Sequence, residues 1–221
     1  MIDFAAARRM MVDGQVRTAD VTDPRLLAAM LDVPRERFFP DDKVSLAYLD
    51  LDVAVSETGL PVRRLLKPMV LAKLIQAAGL GETDRVLDVG CATGYSTAVL
   101  ARLAHSVVGL EEEASLARQA SAMLAEAGTA NAKVVTGALA SGCPAEGPYD
   151  LILLEGATEA VPATLLDQLK SGGRLACVLG RGQPGKAMIY TRTAGDLSGR
   201  AVFDAAAPLL PGFAKPQEFV F

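Results

Sequence analysis

The stretch Val86-Leu87-Asp88-Val89-Gly90-Cys91-Ala92-Thr93-Gly94-Tyr95 constrains the fold more than any other part of the chain. An apolar run carries an acidic residue, and a Gly-x-x-x-Gly turn then opens a helical pattern, as at the first β-to-α turn of a nucleotide-binding α/β sheet. Gly90 and Gly94 permit backbone angles and a close ligand approach that a side chain would forbid. Amides at the helix start can receive an anionic group. The spacing excludes a dinucleotide fingerprint, whose first, third and sixth positions want glycine and here hold Gly90, Ala92 and Tyr95.

The rest of the chain supports an α/β fold. Residues 1–80 read as short helices joined by extended pieces, a helical extension on the substrate side. Asp23 before Pro24 is a helix start, with Leu26, Leu27, Met30 and Leu31 on its apolar face. A second helix starts at Pro68 and reaches the left-handed cap position at Gly79. Residues 81–221 alternate strands (85–89, 106–110, 133–136, 149–154, 174–180) with helical patterns from Tyr95, Glu112 and Pro162. Two further runs, 187–192 and 200–203, predict a C-terminal antiparallel pair on a mostly parallel, Rossmann-like sheet. Met10, Met11 and Met30 read as core, Phe213 as sheet cover, and Phe219 and Phe221 as a short edge strand.

Composition removes several function classes. Twenty-two basic against 26 acidic residues give a net charge of −4, the wrong balance for a nucleic-acid partner. Cys91, Cys143 and Cys177 form no close pair and no metal-ligand spacing, and there is one histidine, so neither a disulfide framework nor a metal site is expected. Asp3, Arg8, Arg9 and Asp13 interrupt the first apolar residues and leave no signal-peptide core, and no membrane span is visible. The expectation is a cytoplasmic protein. His105 precedes the second strand of the sheet, at the edge opposite the expected ligand.

Two acidic positions and one basic cluster complete the candidate site. Glu111 ends the next apolar strand, where a carboxylate can accept from both hydroxyls of a ribose; Glu112 and Glu113 read as ordinary acids of a first helical turn. Glu155 ends the fourth strand, at the edge where such sheets bind ligands. It either caps the following turn or serves the site as a countercharge, a positioning group or a base. Arg63, Arg64 and Lys67 form either a pocket for an anionic substrate or a solvated basic face.

The pattern Asp88-x-Gly90-x-x-x-Gly94 resembles the first motif of class I S-adenosylmethionine-dependent methyltransferases. Met11-Val12-Asp13-Gly14-Gln15-Val16-Arg17, Val33-Pro34-Arg35-Glu36-Arg37-Phe38-Phe39-Pro40, Ala47-Tyr48-Leu49-Asp50, Tyr149–Leu154 and Leu165–Leu175 are similar to segments of protein-L-isoaspartate O-methyltransferases, in type and order. The resemblance covers roughly residues 10–180. It implies a Rossmann-like methyltransferase sheet, S-adenosylmethionine as cofactor with S-adenosylhomocysteine as product, no metal, and protein or peptide acceptors carrying isoaspartyl residues. It also implies a cofactor site drawn from Asp88, Gly90, Cys91, Ala92, Thr93, Gly94, Tyr95, Ser96, Glu111, Gly137 and Ala138. Carboxylate methylation can rest on in-line positioning and exclusion of water without a general base.

Three departures bear on the acceptor. Val62-Arg63-Arg64-Leu65-Leu66-Lys67-Pro68 stands where the family carries Gly-Gln-Thr-Ile-Ser-Gln-Pro, so Arg64 and Leu66 replace its two hydroxyls. Ala138 replaces an aspartate that would accept from the adenine amine. Glu155 replaces an uncharged residue near the transferred methyl. These leave two alternatives: a methyltransferase with another acceptor, such as an anionic small molecule, or a non-catalytic member acting as a binding partner.

Overall fold

The computed structural model describes residues 2–56, 62–180, 185–193 and 196–215; the edge strand expected at Phe219 and Phe221 lies outside them. Asp3 accepts from the Ala6 amide at 3.0 Å and caps helix α1 (Phe4–Met11), which runs into a π-helical turn, Val12–Val16, and a 3-10 turn, Arg17–Ala19. Asp23 accepts from the Arg25 amide at 2.9 Å and starts α2 (Pro24–Asp32). Leu26, Leu27 and Met30 are buried, but Ala29 takes the fourth inward position and leaves Leu31 exposed. Met11 is core, whereas Met10, expected there, lies on the solvent side of α1 and is 72% exposed.

Two 3-10 turns, Arg35–Phe38 and Asp41–Leu46, lead to a short antiparallel pair, β1 (Val53–Ala54) and β2 (Arg64–Leu65). Helix α3 (Pro68–Ala78) then ends at Gly79, whose φ of 62° is the left-handed cap expected there. The sheet follows as β3 (Arg85–Val89), α4 (Tyr95–Ala101), β4 (Ser106–Glu111), α5 (Ala114–Glu126), β5 (Ala132–Thr136), β6 (Tyr149–Thr158), a single turn α6 (Ala163–Leu166), β7 (Leu169–Leu179), β8 (Lys186–Thr193) and β9 (Asp196–Asp204). Its order is β5-β4-β3-β6-β7-β8-β9. The first five strands are parallel and the last two return antiparallel.

The parallel strands are apolar on both faces because both are covered. Val86, Leu151 and Leu153 face α3, α4 and the N-terminal extension in one continuous core with Met11, Leu26, Phe38 and Tyr95. Leu87, Val89, Ile152 and Leu154 face Leu139, Leu165, Leu210 and Phe213. Asp88 pairs across with Leu153, which puts its side chain on the face covered by the extension. Arg174 ties the layers, donating to the carbonyls of Ala78 at 2.5 Å and Gly79 at 2.6 Å and pairing with Asp84 at 2.6 Å.

Candidate active site

The carboxyl ends of β3, β4 and β6 converge where the strand order reverses, the usual ligand crevice of such a sheet. Gly90 (φ 81°) and Gly94 (φ 94°) carry the turn, with Ala92 also left-handed at φ 50°. The Gly94 amide donates to the Cys91 carbonyl at 2.8 Å. A Cβ on Gly94 would lie 3.1 Å from that of Ala120, so glycine lets α4 and α5 approach. Thr93 fastens the turn to the extension through its hydroxyl, which donates to the Phe38 carbonyl at 2.7 Å.

Asp88 is fully buried. Its Oδ2 accepts from Ser96 at 2.7 Å and Thr97 at 2.6 Å, while Oδ1 has no partner among the described residues. Burial raises its pKa to about 6, against the downward pull of the two hydroxyls. Ser96 therefore addresses the crevice through Asp88, as does Thr97, which the motif did not single out. The Cys91 thiol is also buried, and burial raises its pKa well above the ordinary value even though thiols beside a helix start usually gain acidity.

Glu111 ends β4 completely buried, ringed by donors. Its Oε2 accepts from the Ala92 amide at 2.8 Å, and its Oε1 from the amides of Glu112 at 2.9 Å and Glu113 at 3.2 Å. The remaining face is taken by Arg63. Its Nε lies 3.2 and 3.3 Å from the two carboxylate oxygens, and its Nη2 lies 3.2 Å from Oε2 and 2.7 Å from the Gly90 carbonyl. A Cβ on Gly90 would come within 2.6 Å of this Nη2 and 2.9 Å of Leu210 Cδ2. Arg63 and Leu210 thus fill the space above the first glycine, and composition gave no signal for Leu210.

Glu155 stands two residues beyond Leu153, on the face of Asp88, where the β6–β7 register shifts between Leu153 and Ala157. Such an irregularity re-aims side chains beside functional sites. Its Oε1 is buried without a partner among the described residues, and burial first, then Asp88, raises its pKa well above the carboxylate range. Against this region lies Arg35, wholly buried, its Nε donating to the Ala47 carbonyl and its Nη2 to the Leu66 carbonyl, each at 2.8 Å. The guanidinium stacks 4.4 Å from the Tyr95 ring centre, whose other neighbour is Phe38. Arg35 Nη1 and the Tyr95 hydroxyl are likewise without a hydrogen-bond partner among the described residues.

Arg64 points elsewhere. Its Nη1 donates to the Asp52 carbonyl at 3.0 Å, and it lines an open groove of about 510 Å³ with Lys43, Leu46, Leu51 and Pro208. Leu66 is core. Gly137 donates its amide to the Glu111 carbonyl at 3.0 Å, which sets Ala138 beside the end of β4. His105 is exposed at the opposite edge of the sheet. Glu111, Gly137 and Ala138 thus lie where a nucleoside would be held, and the buried Oδ1 of Asp88, without a partner among the described residues, lies where an amino-acid end would be. A cofactor with both parts fits these residues, provided Arg63 yields Glu111.

A family profile described as protein-L-isoaspartate(D-aspartate) O-methyltransferase matches residues 7–205. Among curated relatives, a protein-L-isoaspartate O-methyltransferase of Roseiflexus sp. (strain RS-1) is 37% identical over 219 residues, covering 98% of each chain. One from Rhodopseudomonas palustris (strain HaA2) is 37% identical over 194 residues, 87% of this chain and 78% of the relative. A solved protein-L-isoaspartate O-methyltransferase superposes with a TM-score of 0.82 at 25% identity, over 93% of this chain and 66% of that one. A Plasmodium falciparum structure, described as a putative enzyme of this kind in complex with S-adenosyl-L-homocysteine, shares the fold with a TM-score of 0.78 at 19% identity. The crevice of β3, β4 and β6, with its glycine turn and buried acids, is therefore that of a known lineage: the chain belongs to the protein-L-isoaspartate(D-aspartate) O-methyltransferase family of S-adenosylmethionine-dependent methyltransferases.

Proposed function

We propose that this chain esterifies the carboxylate of an isoaspartyl residue in a protein or peptide, with the acceptor entering over the groove of Arg64 and Lys43. When bound, S-adenosylmethionine supplies the methyl group: an acceptor oxygen forms the new C–O bond as the C–S bond breaks and its electron pair stays on sulfur. The observation that carries this reading is the convergence of Asp88, Glu111 and Glu155 at the carboxyl ends of adjacent strands beside the Gly90 turn. Asp88 Oδ1 would hold the cofactor's ammonium, and Glu111 its ribose. Gly137 and Ala138 would border its adenine. Glu155, whose pKa burial raises, would lose its proton and face the sulfonium as a countercharge when the cofactor binds, and would exclude water. Arg64 keeps donors for an incoming carboxylate.

We place the reaction in the cytoplasm, which suits three free and buried cysteines; among the described residues no helix is long and apolar enough to cross a membrane. A non-catalytic role is favoured by one observation, the occupation of Glu111 by Arg63. Incubation with radiolabelled S-adenosylmethionine and an isoaspartyl peptide, beside its aspartyl twin, separates the readings. Base-labile methyl ester on the isoaspartyl peptide alone is expected. Cofactor binding without ester on either peptide would leave a methyltransferase fold with another acceptor or none.

A further inference from the structure

We propose that Arg63 is an intramolecular competitor of the cofactor: its guanidinium occupies the carboxylate a ribose would need, and the site loads only when that side chain leaves Glu111 and Gly90. The inference rests on the cofactor reading above. A carboxylate offers about four lone-pair positions. Three at Glu111 are taken by the amides of Ala92, Glu112 and Glu113, which are main-chain groups of the turn and of the segment that follows β4. The guanidinium is the removable donor. The same group closes the space above Gly90, where its Nη2 donates to the carbonyl at 2.7 Å. A ribose on Glu111 and Arg63 on Glu111 are mutually exclusive.

The backbone around Arg63 is held independently of its side chain. Its amide donates to Ser56 Oγ at 2.9 Å and its carbonyl accepts from the Val55 amide at 2.9 Å. Release therefore asks for side-chain rotation and leaves the β1–β2 pair in register. In the closed arrangement the guanidinium neutralises a fully buried carboxylate, so it stabilises the ligand-free protein. Cofactor affinity is then the intrinsic affinity reduced by the fraction of molecules in which Arg63 has left.

Titration calorimetry with S-adenosylhomocysteine on wild type, Arg63→Gln and Arg63→Lys tests this, with melting of each protein measured with and without ligand. Glutamine is the family's residue at this place, and lysine keeps the charge but loses the planar fork. The proposal expects Arg63→Gln to melt lower than wild type without ligand yet to bind about tenfold or more tightly, with Arg63→Lys between. Equal or weaker binding by a folded Arg63→Gln, or by Arg63→Lys if the glutamine variant does not fold, overturns it. Measurable wild-type binding would in that case leave the methyltransferase reading intact. Failure of wild type and variants alike to bind at millimolar ligand overturns both.

Discussion

Glu155 shows how one side chain can hold charge chemistry in reserve at a cost to the fold. Burial and the neighbouring Asp88 raise its pKa, and Asp88 itself is raised to about 6. The folded protein therefore keeps protons that the unfolded chain, titrating near 4.5 and 3.8, has released. This pair's contribution to stability is fully present below those unfolded values and is lost as pH rises through the folded ones. Glu155→Gln has no proton to lose. It should be more stable than wild type at pH 8 by ~1–3 kcal/mol, with the advantage shrinking toward pH 5, as thermal melts across that range would register. A variant no more stable than wild type at pH 8 would show that the carboxylate is not desolvated. The positions of Asp88 and Glu111 were legible because a strand-turn-helix motif fixes them within a few residues. The destination of Arg63 was not, since its partner lies 48 residues away and either a solvated or a buried arrangement suits an arginine in sequence.

Element boundaries followed local pattern where the pattern was strong and departed where another element intervened. The strand at 149–154 runs on to Thr158 because the C-terminal segment continues its hydrogen bonding, Pro208 accepting from the Ala157 amide at 2.7 Å. The strand at 174–180 begins instead at Leu169; Gly173 allows it by passing a site where a Cβ would lie 2.9 Å from the carbonyls of Lys170 and Tyr149. Glu112 heads no helix, because its amide and that of Glu113 are spent on Glu111 before α5 begins at Ala114. The 3-10 turn Arg35–Phe38 matters out of proportion to its length. Arg35 alone bridges the carbonyls of Ala47 and Leu66 and stacks on Tyr95 at the head of α4. Arg35→Met keeps the bulk but leaves both carbonyls short of a donor, and should cost ~2–4 kcal/mol in a denaturant titration. Arg35→Lys should recover little, because an ammonium cannot span two carbonyls in the plane of the ring. Full stability in either variant would show that the bridge is dispensable.

The extension and the sheet read as two stretches of different rhythm, and that contrast hid how they are joined. Alternation of strands and helices in 81–221 speaks for a sheet, whereas nothing in 1–80 states which face of it those helices cover. In the folded chain Met11, Val16, Leu26 and Phe38 share one apolar core with Val86, Tyr95, Leu153 and Ile189. Thr93 and Arg174 add polar ties across the same boundary. Neither part can close its core without the other, so unfolding one exposes apolar surface on both and the transition should be cooperative. Calorimetry of the ligand-free protein should give a single endotherm of about 150 kcal/mol whose calorimetric and van't Hoff enthalpies agree. Two separated transitions would show instead that the extension is a unit of its own, able to leave the sheet while the sheet stays folded. In a single cooperative unit, Arg63 must be released by side-chain motion within an otherwise intact core, and S-adenosylhomocysteine should then raise the one transition as a whole.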